Sequence, residues 1–351
     1  MIHNYDEVAI PPEMTIMEAL RKMDEAKRKR LFVYNEERFL CLLTIGDIQR
    51  AIIKHCDLSA PVADILDYHK VYASQNDSTE NIKSIMKENS IDCMPVLDSE
   101  RNVVNILYWS DVFGGTIESQ RQPIDLPVVI MAGGKGTRLK PITNVIPKPL
   151  VPVGDKTILE VIMDQFESIG CHKFYMSVNY KADMIKYYLS QLHHQYDIEF
   201  FMENRPLGTI GSVSLLKGKI TTPFFVSNCD SINDQDYRDV YEYHQNNHND
   251  LTIVTMVKRF KIPYGVIETG EDGLMIALKE KPEQTYMVNT GVYVLNPGLI
   301  DEIPEGEFFH ITHLMGKVKA RGGRVGCFPV SEKSWKDMGE WPEYLKMINV
   351  L

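Results

Sequence analysis

A short cluster of glycines and cations in the middle of the chain has the residue types that bind phosphate. The apolar run Val128–Ala132 predicts a strand buried on both faces of a parallel sheet, and Gly133-Gly134-Lys135-Gly136-Thr137-Arg138 follows it directly. Glycines let backbone N–H groups approach an anion closely. Lys135 and Arg138 supply positive charge that binds phosphate oxygens. The segment matches neither the dinucleotide fingerprint nor the Walker A pattern, so it predicts a phosphate site of another kind.

The glycine segment belongs to a longer pattern of fixed glycines, cations and prolines. The chain reads Ala132-Gly133-Gly134-Lys135-Gly136-Thr137-Arg138-Leu139-Lys140-Pro141-x-Thr143-x3-Pro147-Lys148-Pro149-Leu150-x-Pro152-Val153. This resembles the signature of the sugar-1-phosphate nucleotidyltransferases, and a match over about twenty residues is specific. The resemblance extends from about residue 127 to the C-terminus. It implies Mg²⁺-dependent transfer of a nucleoside monophosphate to a sugar-1-phosphate, with release of pyrophosphate and with Arg138 and Lys148 as catalytic residues.

The same resemblance implies two magnesium ligands. Asp230 ends the apolar run Pro223–Cys229, which predicts a strand, and Asp337 lies in Trp335-Lys336-Asp337-Met338-Gly339, which resembles the family's W-x-D-x-G element. Mg²⁺ binds one or two protein carboxylates together with phosphate oxygens, and a strand end at the carboxyl edge of a sheet suits that role. The alternatives are a helix cap for Asp230 and a solvated turn for Asp337.

The segment Glu203–Ser212 resembles the family's base-recognition loop. The guanylyltransferase branch reads P-L-G-T-A-G where this chain reads Pro206-Leu207-Gly208-Thr209-Ile210-Gly211, whereas thymidylyl enzymes carry a glutamine near Gly211. A small residue there leaves room for a purine, so we expect GTP, although Ile210 departs from the usual alanine. A uridylyl or thymidylyl enzyme is the alternative. The nucleotide contacts implied by the resemblance are Ala132, Gly133, Gly134, Lys135, Gly136, Thr137, Glu203, Gly208, Thr209 and Asp230.

Three later segments resemble the family's sugar-binding elements. They are Tyr264–Glu268, Glu280–Pro282 and Asn289–Tyr293. Each pattern is short enough for a surface hairpin to mimic, but their joint occurrence in the family's order supports the resemblance. The sugar-phosphate contacts that it implies are Gly265, Glu280, Lys281, Asn289 and Thr290.

In the implied reaction, an oxygen of the sugar-1-phosphate attacks the α-phosphorus of the nucleotide in line, and pyrophosphate leaves. Such transfers depend on positioning and charge neutralisation rather than on covalent help from the protein. We expect Lys135 and Arg138 to hold the leaving pyrophosphate. Lys148 is expected on the α-phosphate and the acceptor, and Lys281 on the sugar phosphate.

The first 113 residues contain a degenerate internal repeat. Ala19-x3-Met23 corresponds to Ile82-x3-Met86, Leu31–Asn35 to Met94–Asp98, and Leu42–Ile48 to Ile106–Val112. Each copy predicts a helix, a strand, a turn, a strand and a further helix that opens at an aspartate. A unit of about sixty residues buries little surface alone, so the copies should pack together.

This N-terminal half resembles a tandem CBS-domain pair, a module that commonly binds adenine nucleotides and regulates an attached enzyme. The family's Thr/Ser-x-x-Asp pattern is present as Thr44 and Asp47, while the second copy keeps Asp111 but has Tyr108 in place of the hydroxyl residue. The resemblance implies a regulatory nucleotide at Thr44, Asp47 and Asp111. The alternatives are plain helix capping by these aspartates and a structural or dimer-forming role for the pair.

Composition places the chain among ordinary globular proteins. It has 351 residues, 44% hydrophobic and 25% charged, and a formal net charge of −10. This charge argues against general nucleic-acid binding. No apolar run long enough for a membrane span or a secretory signal is found, and the six scattered cysteines lack metal-ligand spacing. We expect a cytoplasmic protein with reduced thiols, no nucleic-acid or membrane partner and a homo-oligomeric state.

The expected architecture has two domains. Residues 1–118 are predicted to form an α+β tandem CBS (Bateman) module with copies at about 1–60 and 61–118. Residues 119–126 are the linker in a Gly- and Pro-containing segment. Residues 127–351 are predicted to form an α/β nucleotidyltransferase domain with a doubly wound, Rossmann-like, mostly parallel sheet.

The sugar and the class of function leave alternatives open. A CBS pair ahead of a guanylyltransferase-like domain resembles the glucosamine-1-phosphate guanylyltransferases of bacterial legionaminic acid synthesis, which implies glucosamine-1-phosphate as the acceptor. Mannose-1-phosphate and heptose-1-phosphate are the alternatives. A catalytically silent, nucleotide-sensing regulatory subunit is the competing class, and a protein-binding scaffold acting through the CBS pair is a third. The presence of both cations and both aspartates favours the enzyme.

Overall fold

The computed structural model describes residues 8–89, 91–113, 121–192 and 196–348, without the side chains of residues 110, 111, 347 and 348. The chain divides into an N-terminal unit, Met1–Pro123, and a C-terminal unit, Ile124–Leu351. Each unit has its own hydrophobic cores. The predicted linker 119–126 spans this division, and its residues 119 and 120 lie outside the described residues.

The N-terminal unit repeats one order of elements twice. The first copy comprises β1 (Ala9–Ile10), α1 (Ile16–Ala26), β2 (Arg30–Asn35), β3 (Arg38–Thr44) and α2 (Ile45–Ile53); the second comprises β4 (Ala73–Ser74), α3 (Thr79–Glu88), β5 (Cys93–Leu97), β6 (Val103–Tyr108) and α4 (Trp109–Phe113). Each copy forms a three-stranded sheet, in the order β1-β2-β3 or β4-β5-β6. The predicted tandem α+β module is therefore confirmed. The two-residue strands β1 and β4 were not predicted, because they are too short to show an alternating pattern.

Local sequence explains where the helices of this unit begin. Thr15 caps α1 and forms a capping box with Glu18, an arrangement that satisfies otherwise unpaired N–H groups of the first turn. Thr44 and Asp47 form the same box at α2. The helix α2 therefore begins at Ile45 rather than at the aspartate, which corrects the expected helix start by two residues.

The C-terminal unit contains the remaining elements. Its strands are β7 (Val128–Met131), β8 (Pro152–Val153), β9 (Lys156–Thr157), β10 (Lys173–Val178), β11 (Asp197–Met202), β12 (Phe224–Asn228), β13 (Ser231–Asn233), β14 (Leu251–Lys261), β15 (Val266–Thr269), β16 (Met275–Lys279), β17 (Glu283–Leu295), β18 (Val325–Val330) and β19 (Trp335–Asp337). Its helices are α5 (Ile142–Val145), α6 (Ile158–Glu167), α7 (Ala182–Gln191), α8 (Tyr237–Asn246), α9 (Ile311–Ala320) and α10 (Trp341–Ile348). Short 3₁₀ helices connect several of them.

A seven-stranded sheet organises this unit, in the order β11-β10-β7-β12-β17-β14-β18. All neighbouring strands are parallel except at β17, which runs antiparallel to both β12 and β14. The prediction of a mostly parallel α/β sheet is confirmed. Because β7 and β12 are adjacent and parallel, the segments that follow them emerge at the same edge of the sheet.

The sheet is covered on both faces, as its continuous apolar strands predict. Val128 and Ile130 of β7 belong to one core cluster together with side chains of α6, α7 and α8. Val129 points the other way and packs in a second cluster with side chains of α9. Both faces of β7 are therefore buried, and its parallel pairing with β10 and β12 sets the edge at which the glycine segment emerges.

Two further features concern the apolar helices and the cysteines. Within the described ranges, no helix is both long enough and apolar enough to cross a membrane. All six cysteines are unpaired thiols.

Candidate active site

The glycine segment leaves the end of β7 and turns through a backbone conformation that requires glycine. Gly136 has a φ of 62°, and a Cβ there would lie 2.8 Å from Thr143 Cγ2 and 2.9 Å from Lys148 Cβ. The Thr143 hydroxyl donates a hydrogen bond of 2.8 Å to the Gly136 carbonyl. At Gly134, in contrast, a Cβ would meet no atom within 4 Å. The segment is therefore anchored at Gly136 and open at Gly134.

Lys148 and Asp230 form a buried ion pair beside this segment. Lys148 lies in the 3₁₀ helix Lys148–Leu150, which follows Pro147, and Asp230 follows β12. Their residues are only 9% and 8% exposed. Asp230 is followed by a strand rather than by a helix, which excludes the predicted alternative of a helix cap. A buried charge pair of this kind needs further partners to offset its desolvation, and the cavity described below can supply them from a ligand.

A three-residue strand pairing brings Asp337 to Asp230. The strands β13 and β19 are antiparallel, with Ser231 opposite Asp337, and the Met338 N–H donates a hydrogen bond of 2.9 Å to the Asp230 carbonyl. Burial raises the pKa of the Asp337 carboxyl, the Gly339 N–H bond opposes this shift, and the Asp230 carboxylate adds to it. The Lys148 and Arg138 cations lower this pKa, and carboxylate oxygens are ligands that Mg²⁺ prefers in proteins.

Gly339 marks the centre of this charged cluster. A Cβ on Gly339 would lie 2.7 Å from Lys148 Nζ, 2.8 Å from Asp230 Oδ2 and 2.8 Å from Asp337 Oδ1. Asp230 Oδ2 and Asp337 Oδ1 therefore lie close together, each 2.8 Å from the same point. The absence of a side chain at this position leaves a small space that both carboxylates face.

Arg138 lies on the same cluster with an additional acidic partner. Its Nη1 is 2.6 Å from Glu340 Oε1 and 3.9 Å from Asp337 Oδ2. The guanidinium is largely exposed, so these pairs contribute little to stability. They do hold the positively charged Arg138 guanidinium next to the carboxylate cluster.

The glycine segment and most of the charged cluster line one cavity of about 350 Å³, a volume typical of small-molecule sites. Asp337 is not among its lining residues. Its lining residues are Met131, Gly133, Gly134, Gly136, Thr137, Arg138, Lys148, Glu203, Pro206, Gly208, Thr209, Asn228, Cys229, Asp230, Phe308 and Gly339. Most of the residues predicted to contact nucleotide are therefore brought together. Ala132 is buried in the core behind the cavity, and Lys135 is exposed and outside its lining.

The predicted base loop is fixed by hydrogen bonds to Glu203, one from β10 and one from within the loop. Glu203 accepts one of 2.6 Å from the Ser177 hydroxyl and one of 3.3 Å from the Leu207 N–H. The carboxylate thus shapes the loop as well as lining the cavity. Gly208 has a φ of 84°, and a Cβ there would lie 2.6 Å from the Phe309 carbonyl oxygen. This close approach brings the segment before α9 against the loop.

The predicted sugar residues do not line this cavity. Gly265 and Glu280 lie together beside the hairpin of β15 and β16, and a Cβ on Gly265 would be 3.0 Å from Glu280 Oε2. Lys281 is exposed, and its Nζ is 4.0 Å from Glu280 Oε1.

Asn289 and Thr290 lie on β17, nearer to the charged cluster. Asn289 binds the Tyr293 hydroxyl, and the Thr290 hydroxyl donates to the Val254 carbonyl. The Trp335 indole donates a bond of 3.2 Å to the Thr290 carbonyl, which connects β17 to the strand that carries Asp337.

Several lining residues were not singled out from the sequence. Gly339 stands in the quoted W-x-D-x-G element, so its position next to Asp337 was a usable signal. Asn228 directly precedes Cys229 and Asp230, and its side chain would collide with any Cβ at Gly291. Phe308 belongs to no recognised spacing, and only the fold reveals it. The same holds for Glu340, which pairs with Arg138 but does not itself line the cavity.

In the N-terminal unit, Asp47 is 4% exposed and fully engaged. It accepts hydrogen bonds of 2.7 Å from both the N–H and the hydroxyl of Thr44 and forms ion pairs with Lys70 and Arg50. Burial alone would raise the pKa of this carboxyl, but Lys70 and Thr44 outweigh it and hold the pKa below its ordinary value. Lys70 also donates a bond of 2.6 Å to the Leu42 carbonyl. Asp47 therefore takes part in capping α2 as the partner of Thr44 in the capping box, whereas the N-cap residue itself is Thr44. The side chain of Asp111 lies outside the described residues.

Comparisons with known proteins agree with these features. Curated relatives include the mannose-1-phosphate guanyltransferases of Aspergillus oryzae, 30% identical over 63% of this chain and 62% of the relative, and of Pichia angusta, 36% identical over 62% of each. The catalytic subunit beta of the mannose-1-phosphate guanylyltransferase of Drosophila pseudoobscura pseudoobscura is 34% identical over 50% of this chain. That match spans 49% of the Drosophila protein, so the chain covers about half to three fifths of the length of these relatives.

A solved structure and two family models complete the comparison. The crystal structure of HddC from Yersinia pseudotuberculosis is similar with a TM-score of 0.50 and 28% identity, covering 64% of this chain and 99% of HddC. The CBS domain model matches residues 2–54 and 62–115. The nucleotidyl transferase model matches residues 127–351, well over half of the chain. The chain therefore belongs to the nucleotidyl transferase family.

Proposed function

We propose that the protein transfers GMP from GTP to a sugar-1-phosphate, forming a GDP-sugar and pyrophosphate. The observation that supports this best is the cavity lined by the glycine segment, Lys148 and Asp230, with Asp337 held beside Asp230 at Gly339. Phosphoryl and nucleotidyl transfer requires groups that position two anions and neutralise their charge. The glycine N–H groups and the cations of this cavity are of the required kind.

The two aspartates fit a divalent cation. Asp230 and Asp337 face a space that a single Cβ on Gly339 would fill. Within the described ranges, no cluster of three or more His, Cys, Asp or Glu side chains could hold a metal unaided. Two carboxylates with the remaining ligands from phosphate and water match the preference of Mg²⁺. When bound, Mg²⁺ would neutralise negative charge on the phosphate oxygens of the reacting nucleotide.

The protein groups divide the remaining work by position. Lys148 lies between the glycine segment and Asp230 and is suited to hold the α-phosphate and the attacking oxygen. Arg138, with its guanidinium at the mouth of the cluster, is suited to the leaving pyrophosphate. The attacking oxygen of the sugar-1-phosphate forms a bond to the α-phosphorus, and the bond to the pyrophosphate oxygen breaks with its electron pair.

The predicted sugar contacts form the other part of this proposal. Gly265, Glu280 and Lys281 border an exposed hairpin, while Asn289 and Thr290 lie on the strand joined to Trp335. A sugar-1-phosphate that reaches from the charged cluster toward these residues would complete the site. Mannose-1-phosphate, named by the relatives, and glucosamine-1-phosphate, implied by the domain arrangement, are the first acceptors to compare.

A pyrophosphate-release assay on the full chain tests the proposed function. GTP, ATP, UTP and dTTP are each combined with mannose-1-phosphate, glucosamine-1-phosphate and heptose-1-phosphate in the presence of Mg²⁺. We expect GTP to be the preferred nucleotide with at least one acceptor. Faster release with UTP or dTTP would overturn the base assignment. No release from any pair, together with measurable GTP binding, would instead identify a catalytically silent nucleotide sensor.

We further propose that the CBS pair binds an adenine nucleotide and regulates turnover. Thr44 and Asp47 lie at the start of α2, where a helix N-terminus favours anions. Because Lys70 already pairs with Asp47, a ribose would share or displace that ion pair. The second copy has Tyr108 in place of the hydroxyl residue, so a stoichiometry near one per chain is expected.

Replacing Asp47 by Asn is expected to weaken adenine-nucleotide binding tenfold or more, about 1.4 kcal/mol. Turnover without the nucleotide should be unchanged, because the predicted phosphate-transfer residues lie in the other unit. Calorimetry with AMP, ADP and ATP on the full chain measures the affinity, and the exposed Asp57→Asn variant is the matched control. No heat with AMP, ADP or ATP on the unmodified protein would contradict binding of an adenine nucleotide and the regulatory role that rests on it.

A further inference from the structure

The wall of the cavity includes an aromatic side chain that none of the proposed roles uses. Phe308 lies in the segment before α9 and lines the cavity with Pro206, Gly208 and Thr209 of the base loop. Of the lining residues in the described ranges, Phe308 is the only aromatic one. The same cavity holds the glycine segment and Lys148, which are suited to phosphates. Its phosphate-binding and apolar portions are thus supplied by different segments.

The exposure of Phe308 contrasts with that of its neighbour. Phe309 is 7% exposed and packs in a core cluster, whereas Phe308 is 59% exposed. A single exposed aromatic side chain is common on protein surfaces. This one, however, faces a cavity, where apolar and aromatic lining is what small ligands bind against.

Hydrogen bonds hold Phe308 in place relative to the base loop. The Phe309 N–H donates a bond of 2.9 Å to the Leu207 carbonyl, and the N–H groups of Ile210 and Gly211 each donate one of 3.2 Å to the Phe309 carbonyl. The segment before α9 and the base loop are therefore joined by three backbone hydrogen bonds. The backbone position of Phe308 is fixed by its bonded neighbour.

The ring of Phe308 is also oriented by a side chain. It lies 4.7 Å from the His310 ring at an interplanar angle of 82°, an edge-to-face arrangement of the favourable kind. The His310 Nδ1 is 3.4 Å from the Thr209 hydroxyl, which connects the ring pair to the base loop. Such a contact orients the ring without covering both of its faces.

We propose that Phe308 is the stacking surface for the nucleobase of the bound triphosphate, an inference that rests on the proposed function. A nucleobase presents a flat π-face, and stacking on an aromatic side chain adds affinity with little preference among bases. Selection of guanine belongs to the polar groups of the base loop. Phe308 thus contributes affinity for the base, and Thr209 with the loop backbone contributes its identity.

Binding of nucleotides to the full-length Phe308→Ala variant tests this inference. Calorimetry with GTP and with UTP in Mg²⁺ is expected to show both affinities reduced by a similar factor, about ten- to a hundredfold, as loss of base stacking does. Inorganic pyrophosphate carries the phosphates without a base, so its affinity should be unchanged. The KM for GTP should rise while kcat at saturation stays within about threefold, since stacking acts on binding more than on the transition state. Phe308→Tyr, which keeps the ring, should bind like the unmodified protein.

The matched control is Tyr187→Ala, which removes an aromatic side chain of similar exposure from α7, outside the cavity lining. If the unmodified protein binds GTP and Phe308→Ala binds it equally well, the stacking inference is overturned while the proposed function stands. If the variant loses pyrophosphate as strongly as GTP, the residue is structural and the inference fails as well. If the unmodified protein binds no nucleoside triphosphate, the proposed function itself is wrong, and the inference falls with it.

Discussion

Replacement of Asp230 by Asn is expected to lower kcat by at least a hundredfold, about 2.7 kcal/mol in the activation free energy. The substitution keeps the shape of the side chain but removes one of the two carboxylate charges that face the Gly339 space. It also leaves Lys148, which is paired with Asp230, without its closest anion. Both effects weaken the binding of a divalent cation and the placement of the phosphates.

Pyrophosphate release at saturating GTP and acceptor measures this effect. Breaking a buried ion pair also reduces stability. Thermal unfolding of the same variant therefore shows whether it is still folded at the temperature of the assay. Asp155→Asn, at an exposed aspartate in the turn between β8 and β9, is the matched control and should retain full activity. A decrease of less than about tenfold, or 1.4 kcal/mol, would show that Asp230 is not a principal metal ligand.

Gly339→Ala is expected to lower kcat to a similar extent without unfolding the protein. The added Cβ would lie within 2.8 Å of Lys148 Nζ, Asp230 Oδ2 and Asp337 Oδ1, closer than carbon normally approaches these atoms. All three are the ends of side chains, which can move apart, so the backbone survives. The space next to Asp230 and Asp337, however, would be filled by the added Cβ.

Two measurements separate these effects for Gly339→Ala. Turnover should fall by a hundredfold or more, about 2.7 kcal/mol, while the Tm should shift by only a few degrees. Gly316→Ala is the matched control, since a Cβ there meets nothing within 4 Å, and alanine in a helix is favoured over glycine by about 1 kcal/mol. Retained activity in Gly339→Ala would show that the shared space is not needed for turnover.

Those parts of the fold with long apolar patterns were accessible from the sequence. The run Val128–Ala132 indicated a strand buried on both faces, and the structure places β7 in the centre of the sheet with core residues on each side. The repeated helix and strand patterns of the first 113 residues likewise indicated two similar copies. In the first case an uninterrupted apolar run carries the signal, and in the second the helix and strand patterns recur in two copies.

The parts of the site that depend on pairing between very short strands could not be predicted from the sequence. The strands β13 and β19 have three residues each, too few for an alternating pattern, yet they bring Asp337 to Asp230. Sequence order placed both aspartates in the family's pattern but said nothing about how they meet. The ion pair of Lys70 with Asp47 has no spacing signal either, because it joins positions 23 residues apart through the fold.

The pairing of β13 with β19 has a consequence for how the protein becomes active. The side chains of the cluster come from distant parts of the chain: Lys148 meets Asp230 across 82 positions and Arg138 meets Glu340 across 202. Contacts between distant positions are entropically costly to close, and proteins rich in such contacts fold more slowly. The glycine segment depends on β7 and its neighbours, whereas the two carboxylates meet only where β19 also pairs with β13. The complete set of charged side chains is therefore a property of the whole C-terminal unit, because it draws on segments from Arg138 to Glu340.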